Sequence, residues 1–551
     1  ARPVSASRSL PKVDFAMRPR TRLQGLLSQA LASRPDKTAL RCGDRRLSYV
    51  ELDNAVGRMT YGLKRSGIGP GDRVMWLLPN SMEAVVSTLA CYRLGAVSLP
   101  INCRYVAPEL RFVVDRTTPS LLICHRDRLD VVADAKLDQS ALPIFVVEAQ
   151  GGEGSSGYPT WADLLIDGGL AGDTVLDEET PALILFTSGS TGHPKGVTHA
   201  HRSAWWAIES SRRALDISMT DTVLVGKPIS HAGGLQTQLL PTLAAGGECI
   251  IEMRPAPQRA AELIRGHSVS QYGMLASDLL DFVEYLEQTG ERLPSLNNSI
   301  GSGDSVPVEL HQRFRDLFGW AVLEGCGMTE IGSYYAMNPR YGARKWGSLG
   351  LPTPGTTLRI VNSDGAGLGP GEVGEIEVQT EAATIGYWND PAASAALFRD
   401  GWLRTGDLGR LDQDGYVWFV GRSKLMIVRR GSNIAPAEVE NVLDAHPQIH
   451  ASVVVGVADA REGQLPVAWV APMKNAQIPD LEGLKAYVAE RLAPYQVPVR
   501  YLVTPELPRN STGKFDRHRL QELAERSMSE SRPDGALVSV TKPDFDYSPR
   551  I

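Results

Sequence analysis

The chain has 551 residues, 43% of them hydrophobic and 22% charged, and a net charge of −6 from 57 basic and 63 acidic side chains. That balance suits a globular protein; a dedicated nucleic-acid binder would show a basic excess, and no apolar run reaches the roughly 18 residues a membrane span needs. The length calls for roughly two to four structural units, and six scattered cysteines without a CxxC pair make neither a disulfide framework nor a zinc cluster, so a reduced, cytoplasmic protein is expected.

Residues 1–20 read as a flexible lead rich in Arg, Pro and Ser, with no apolar stretch behind the basic residues to make a secretory signal. Arg73-Val-Met-Trp-Leu-Leu-Pro79 reads as a buried strand, Ser81 to Leu94 as a helix capped by Ser81, and Ala96-Val-Ser-Leu-Pro100 as the next strand. Strand, helix and strand at this spacing predict a βαβ unit and a parallel sheet. The alternation recurs at Leu183–Phe186, Thr222–Val225 and Glu248–Ile251. From Leu358 the texture changes to short strands, Leu358–Val361 and Gly374–Val378, between Gly-rich turns, which predicts a small β-rich subdomain. Past Gly421-Arg422 a last α+β stretch runs to near Ala524, and residues 526–551, rich in Ser, Pro and Asp, read as a flexible tail. The expected fold is therefore α/β: a large N-terminal domain (21–421) of stacked αβ sheets with a β-rich subdomain, then a small α+β C-terminal domain (422–525).

The chemistry is concentrated in Phe186-Thr-Ser-Gly-Ser-Thr-Gly-His-Pro-Lys-Gly-Val197. Gly189, Gly192 and Gly196 let backbone N–H groups approach an anion. Thr187, Ser188, Ser190 and Thr191 add hydroxyls, and Lys195 adds a positive charge. A generic Ser/Gly tract is more often a surface loop, and this one lacks the GxxxxGK(S/T) spacing of the common triphosphate loop. In residue order, however, it resembles the phosphate loop of the adenylate-forming superfamily (acyl-CoA synthetases, luciferases and peptide-synthetase adenylation domains), and among these an acyl- or aryl-CoA ligase.

Further segments carry the same resemblance over about 45–520. Gly325-Cys-Gly-Met-Thr-Glu330 is similar to the YGxTE motif, which implies nucleotide contacts from Gly325, Cys326, Gly327 and Met328, a phosphate contact from Thr329, and a Mg²⁺ ligand in Glu330. Gly401-Trp-Leu-Arg-Thr-Gly-Asp407 implies a ribose clamp in Asp407, since a carboxylate accepts two hydroxyl protons. Gly421-Arg-Ser-Lys424 resembles the domain junction, with Arg422 on ribose or phosphate and Lys424 as hinge. Pro508-Arg-Asn-Ser-Thr-Gly-Lys-Phe515 implies that Lys514 bridges substrate carboxylate and α-phosphate, where a cation between two anions lowers the barrier electrostatically. Gly347–Pro352, Gly371–Glu375, Gly386-Tyr-Trp388 and Ala435–Glu440 match as well.

The implied reaction has two steps: acid plus MgATP gives acyl-AMP and pyrophosphate, then a thiol displaces AMP while a mobile C-terminal domain swings between orientations. The implied cofactors are ATP, Mg²⁺ and coenzyme A, with a small carboxylic acid as partner; a homodimer stays open. Gly431 falls where a glycine borders the thiol channel. Three departures stand out. Cys326 replaces an aromatic against adenine. Asp304, in Gly301-Ser-Gly303-Asp-Ser305, replaces a small apolar residue in the adenine-contact strand. Arg430 replaces a glycine, and could bind coenzyme A phosphate or narrow the route in favour of a carrier-protein thiol or an amine. Pro228-Ile-Ser-His-Ala-Gly-Gly-Leu235 resembles the acyl-pocket lining, with His231 at its centre, and the small residues Gly233, Gly234, Gly325 and Gly327 suit an aromatic, alicyclic or medium-chain acid. Trp205 and Trp206 suit the core better than that pocket, and His199 with His201 is weak evidence for a metal. The competing class, a silent nucleotide-binding protein, is disfavoured because Lys195, Glu330, Asp407, Arg422 and Lys514 are all present.

Overall fold

The computed structural model describes residues 21–137, 142–148, 157–167, 174–187, 194–302, 306, 308–430, 432–459, 461–473, 480–510, 514–529 and 538–539. The 1–20 lead and most of the 526–551 tail lie outside them. The final helix nevertheless runs Arg517–Ser529, past Ala524, and Val538–Ser539 pairs in parallel with Arg500–Val503.

The predicted βαβ unit forms. Arg73–Leu77 pairs in parallel with Val97–Pro100, joined by the helix Met82–Leu94. Ser81 caps that helix, its Oγ accepting from the Ala84 N–H at 3.3 Å, and Gly95 ends it at φ 84°. All but one residue of the helix is buried, Arg93 being the exception, because it lies between two sheets. One sheet runs Gly386–Tyr387, Lys195–Ala200, Pro181–Thr187, Val97–Pro100, Arg73–Leu77, Leu121–His125, Ile144–Val147. The other runs Leu351–Pro352, Ser333–Met337, Leu323–Met328, Asn298–Ser302, Gln271–Leu275, Thr222–Val225, Glu248–Ile251, Thr38–Cys42, Arg45–Ser48. A single apolar core joins Trp76 and Leu183 of the first sheet to Leu40 and Val225 of the second, through Val86 and Ile208 of the helices between. This is the stacked αβ arrangement expected, and the central strands of both sheets are parallel.

The β-rich subdomain is an antiparallel sheet in which Thr356–Val361, Gly374–Thr380 and Trp402–Leu411 are neighbours and Val417–Arg422 adds to the last. After it, Ile449–Asp459 and Gly463–Pro472 form a sheet with helices on both faces. Alternation sends Val454 and Val470 to one core with Leu443 and Val488, and Val453 and Trp469 to another with Leu520 and Ala524. No helix among the described residues is long and apolar enough to cross a membrane.

In open parallel sheets, ligands settle beyond the C-terminal ends of the strands. Thr187 ends one strand of the first sheet; Met328 and Ser302 end strands of the second. The candidate residues gather at this edge.

Candidate active site

Ser188, Gly189, Ser190, Thr191 and Gly192 lie outside the described residues, but Thr187 and Lys195 on either side of them are placed. Thr187 pairs with Lys195 across an antiparallel ladder. The Lys195 ammonium sits 4.8 Å from the centre of the Tyr387 ring, a cation–π contact. Tyr387 donates its phenolic proton to Glu330 Oε1 at 2.8 Å, and the Thr384 N–H fastens the Glu330 carbonyl at 2.7 Å. One tyrosine thus couples the loop lysine to the metal-ligand candidate. Burial, then the Glu330 charge, pushes the phenol's pKa well up, so it remains a donor. In the sequence Tyr387 was legible only as part of a matching tripeptide.

Thr329 and Glu330 form the turn after the strand Leu323–Met328. His199 Nε2 lies 2.8 Å from the Thr329 carbonyl oxygen. A carbonyl only accepts, so Nε2 carries a proton, and burial keeps the ring neutral near pH 7. His201 is elsewhere engaged, its Nδ1 2.9 Å from Thr21 Oγ1. The His-x-His pair is structural, and no group of three or more His, Cys, Asp or Glu that could hold a metal occurs among the described residues.

Both rings are fully buried, and burial lowers both pKa values from 6.5 to about 4. Between those values the unfolded chain binds protons the native state refuses, so stability is full above pH 6.5 and falls as pH drops towards 4. The expected slope is up to about 1.4 kcal/mol per pH unit for each histidine. Thermal midpoints of His199→Gln and His201→Gln, scanned from pH 7 to 4.5, should fall less steeply than the parent's; parallel curves would contradict the assignment.

The ribose-clamp candidate is built by register. Asp407 on Trp402–Leu411 stands opposite Arg422 on Val417–Arg422, with Arg422 Nε 3.1 Å from Asp407 Oδ1. Asp407 is 1% exposed. Its Oδ2 accepts the Tyr335 phenolic proton at 2.9 Å, and the Tyr335 oxygen lies 3.0 Å from Cys326 Sγ. The phenol has one proton and gives it to the carboxylate, so the thiol is the donor in the second contact. That agrees with the Cys326 pKa, pushed up to about 12 by burial and then by the Asp407 charge. Cys326 therefore stays a thiol, and Tyr335, which no sequence motif flagged, holds Asp407 by its hydrogen bond. Burial raises the Asp407 pKa, opposed by the Arg422 charge, the Tyr335 hydrogen bond and the Lys514 charge.

Lys514 is exposed, on a turn tied by the Asn510 N–H to the Lys514 carbonyl oxygen at 2.8 Å. Its charge opposes the rise in pKa at Asp407 and Cys326 and adds to the fall at His231. The C-terminal lysine thus acts electrostatically on groups of the N-terminal part. Arg422 in turn feels the charge of Glu330, which links the ribose end to the phosphate end.

His231 precedes the short helix Ala232–Gly234; among the described residues its buried Nε2 has no hydrogen-bond partner, and burial, then Lys514, lowers its pKa to about 4. The glycines expected to open the acyl pocket divide. A Cβ on Gly234 would stand 2.3 Å from the Pro228 carbonyl oxygen, and one on Gly327 2.4 Å from that of Ser333; both are demanded by backbone packing. Gly325 is also tight, at 3.1 Å from the Ala336 oxygen. Gly233 is the roomy one, with only the Lys227 side chain nearby, at 3.7 Å. Trp206 packs against the core containing Ile331 and Tyr335, as expected. Gly303, Asp304, Ser305 and Gly431 lie outside the described residues. Arg430, at φ 49°, is held by Glu462 Oε1 at 2.7 Å, and Lys424 lies exposed on the turn Ser423–Leu425.

The AMP-binding enzyme family matches residues 27–388, and the AMP-binding enzyme C-terminal domain matches residues 438–514. The chain belongs to the AMP-binding enzyme family, within the adenylate-forming acyl- and aryl-CoA ligase superfamily. Similar members are an indoleacetate–CoA ligase of Aromatoleum aromaticum, 34% identical over 89% of this chain and 96% of its own length, and a feruloyl-CoA synthase of an Amycolatopsis species, 34% identical over 87% and 94%. The crystal structure of ATP-bound MatB from Rhodopseudomonas palustris is similar at a TM-score of 0.83 and 28% identity, covering 91% of this chain and 99% of that one. Membership spans both the cleft and the Lys514 turn: the matched segments contain Lys195, Glu330 and Lys514, while Asp407 and Arg422 fall between them.

Proposed function

We propose that the protein activates a carboxylic acid with MgATP as an acyl-adenylate, releases pyrophosphate, and transfers the acyl group to coenzyme A. The observation that carries this reading is the convergence of Lys195, Glu330, Asp407, Arg422 and Lys514, from two sheets, a subdomain and the C-terminal unit, on one cleft. Thr187, Lys195 and the loop between them bind the β- and γ-phosphates. Asp407 accepts the ribose hydroxyl protons, and Arg422 sits beside it. Glu330, one oxygen of which accepts from Tyr387, suits a Mg²⁺ that arrives on the phosphates and keeps its waters, since such ions use one or two carboxylates. When bound, that ion neutralises charge on the departing pyrophosphate.

A substrate carboxylate oxygen attacks the α-phosphorus as the bond to the pyrophosphate oxygen breaks. Lys514 lies between the two anions. The thiol then adds to the acyl carbonyl, loses its proton, and AMP departs. Rotation about Lys424 removes the Lys514 turn for this second step and brings Arg430 and Gly431 to the thiol. Six free thiols suit a reducing compartment. The test is pyrophosphate release across a panel of carboxylic acids, with and without coenzyme A. Silence with every acid would sink the enzyme reading; release without acyl-CoA would keep adenylation and hand the acyl group to another acceptor.

A further inference from the structure

Lys227 is a buried cation that the nucleotide chemistry does not use. It follows the strand Thr222–Val225 by two residues and is 5% exposed. Its ammonium donates to Ser302 Oγ at 2.5 Å, and among the described residues no carboxylate lies in ion-pair range. An ammonium carries three donors, and burying it against one hydroxyl is costly.

Other lysines of the same molecule show how a structural role looks. Lys345 sits between Asp412 and Asp414, each at 2.6 Å. Lys37 binds the carbonyl oxygens of Met219 and Gly246. Lys227 has neither arrangement, yet its backbone is held firmly: Asn80 donates to the Lys227 carbonyl at 2.9 Å and accepts from the Ile229 N–H at 2.9 Å. The position is held by Asn80, and among the described residues the charge has no carboxylate partner.

Its location says what the charge faces. Ser302 ends Asn298–Ser302, and Lys227 lies just past the end of a strand of the same parallel sheet, so both stand at the edge where ligands bind. The lysine stem runs beside Gly233, the one pocket glycine with space, and the next turn carries His231 with its unpartnered Nε2. Phosphate and ribose are served by Lys195, Arg422 and Lys514. Lys227 is on the acyl side.

We propose that Lys227, with Ser302, reads a second anionic group, a carboxylate or a sulfonate, on the acyl part of the substrate, so that the preferred acids are dianions. This rests on the adenylation reading above. The ammonium and the hydroxyl supply directional donors at a fixed point, and a monoacid leaves them unpaired, the condition under which polar sites discriminate strongly.

The test is kcat/KM for pyrophosphate release with pairs of acids of equal length, one ending in a carboxylate or sulfonate and the other in its methyl ester or amide. The parent should favour the charged member by about 10²-fold or more. Lys227→Met should erase that preference by losing the charged member while keeping the neutral one, and Lys227→Arg should retain part of it. Thermal midpoints report whether the Met variant folds; if it does not, the parent's own preference and the Arg variant decide. A parent that activates acids but favours the neutral members overturns the assignment and leaves adenylation standing. Equal loss of both members in a folded Lys227→Met also overturns it, making the lysine structural. If no acid releases pyrophosphate, the adenylation reading itself has failed.

Discussion

Lys514→Ala is expected to slow acid-dependent pyrophosphate release by about 10²–10³-fold, the usual cost of removing one charge-stabilising group from a transition state. Thioester formation from supplied acyl-AMP should change only slightly. The asymmetry follows from placement. Lys514 is exposed on a turn and reaches the cleft by its charge rather than by a packed contact. Its loss leaves no cavity, so the fold should be untouched. What disappears is the cation that keeps a carboxylate and a phosphate from repelling each other as they meet. In the proposed second step the attacking group is a thiol and the leaving group is AMP, and the proposed alternation carries the Lys514 turn away about Lys424. Single-turnover measurements of the two half-reactions separate the outcomes; equal loss in both would contradict the alternation.

The neighbouring histidine sharpens that result. His231 is neutral because of burial and the nearby Lys514 charge. Removing the lysine lifts the smaller of those two causes, so the His231 pKa should rise in Lys514→Ala while staying below its ordinary value. An NMR titration of that ring would register the lysine's position over the cleft independently of any rate.

Much of the layout was legible in the sequence, for physical reasons that also mark where it stopped. The helix Met82–Leu94 announced itself through a Ser cap and continuous apolar character, and its flanking strands through short apolar runs. The phosphate and ribose candidates were legible because their chemistry needs particular residue types at particular places. Tyr335 and Tyr387 were not, because an ordinary tyrosine in a strand carries no signal until register brings its hydroxyl to Asp407 or Glu330. His199 is similar: its partner is a carbonyl 130 residues away in sequence. Gly234 and Gly327 show the opposite error. Small residues suggested room for substrate, whereas the missing Cβ is required by backbone packed against backbone. Composition can say that a residue is small but not what stands beside it. Lys227 drew no attention because a lysine is expected at the surface, and only its 5% exposure makes it informative.

Asp407→Asn is expected to raise the KM for ATP by about 10²-fold while leaving the protein as stable as before or more so. In the proposed ribose clamp two charge-assisted hydrogen bonds to hydroxyls, at roughly 1.5–3 kcal/mol each, are at stake. Asparagine offers one acceptor oxygen and turns two donors towards hydroxyls, so at least one contact is lost and one becomes unfavourable. Stability moves the other way. The Asp407 pKa is raised, which means burial penalises the carboxylate by more than Arg422, Tyr335 and Lys514 return. A carboxylate with a raised folded pKa costs stability as pH climbs through that value, and the amide removes the cost. Tyr335 keeps an acceptor in the amide oxygen. Arg422, whose side chain is 54% exposed, loses a partner it can replace with water at little expense. A site that becomes more stable when its function is damaged is held in place by what it binds. Thermal midpoints across pH, measured beside ATP saturation curves, decide the matter: a lower midpoint with unchanged KM would make Asp407 a structural carboxylate and remove the ribose clamp.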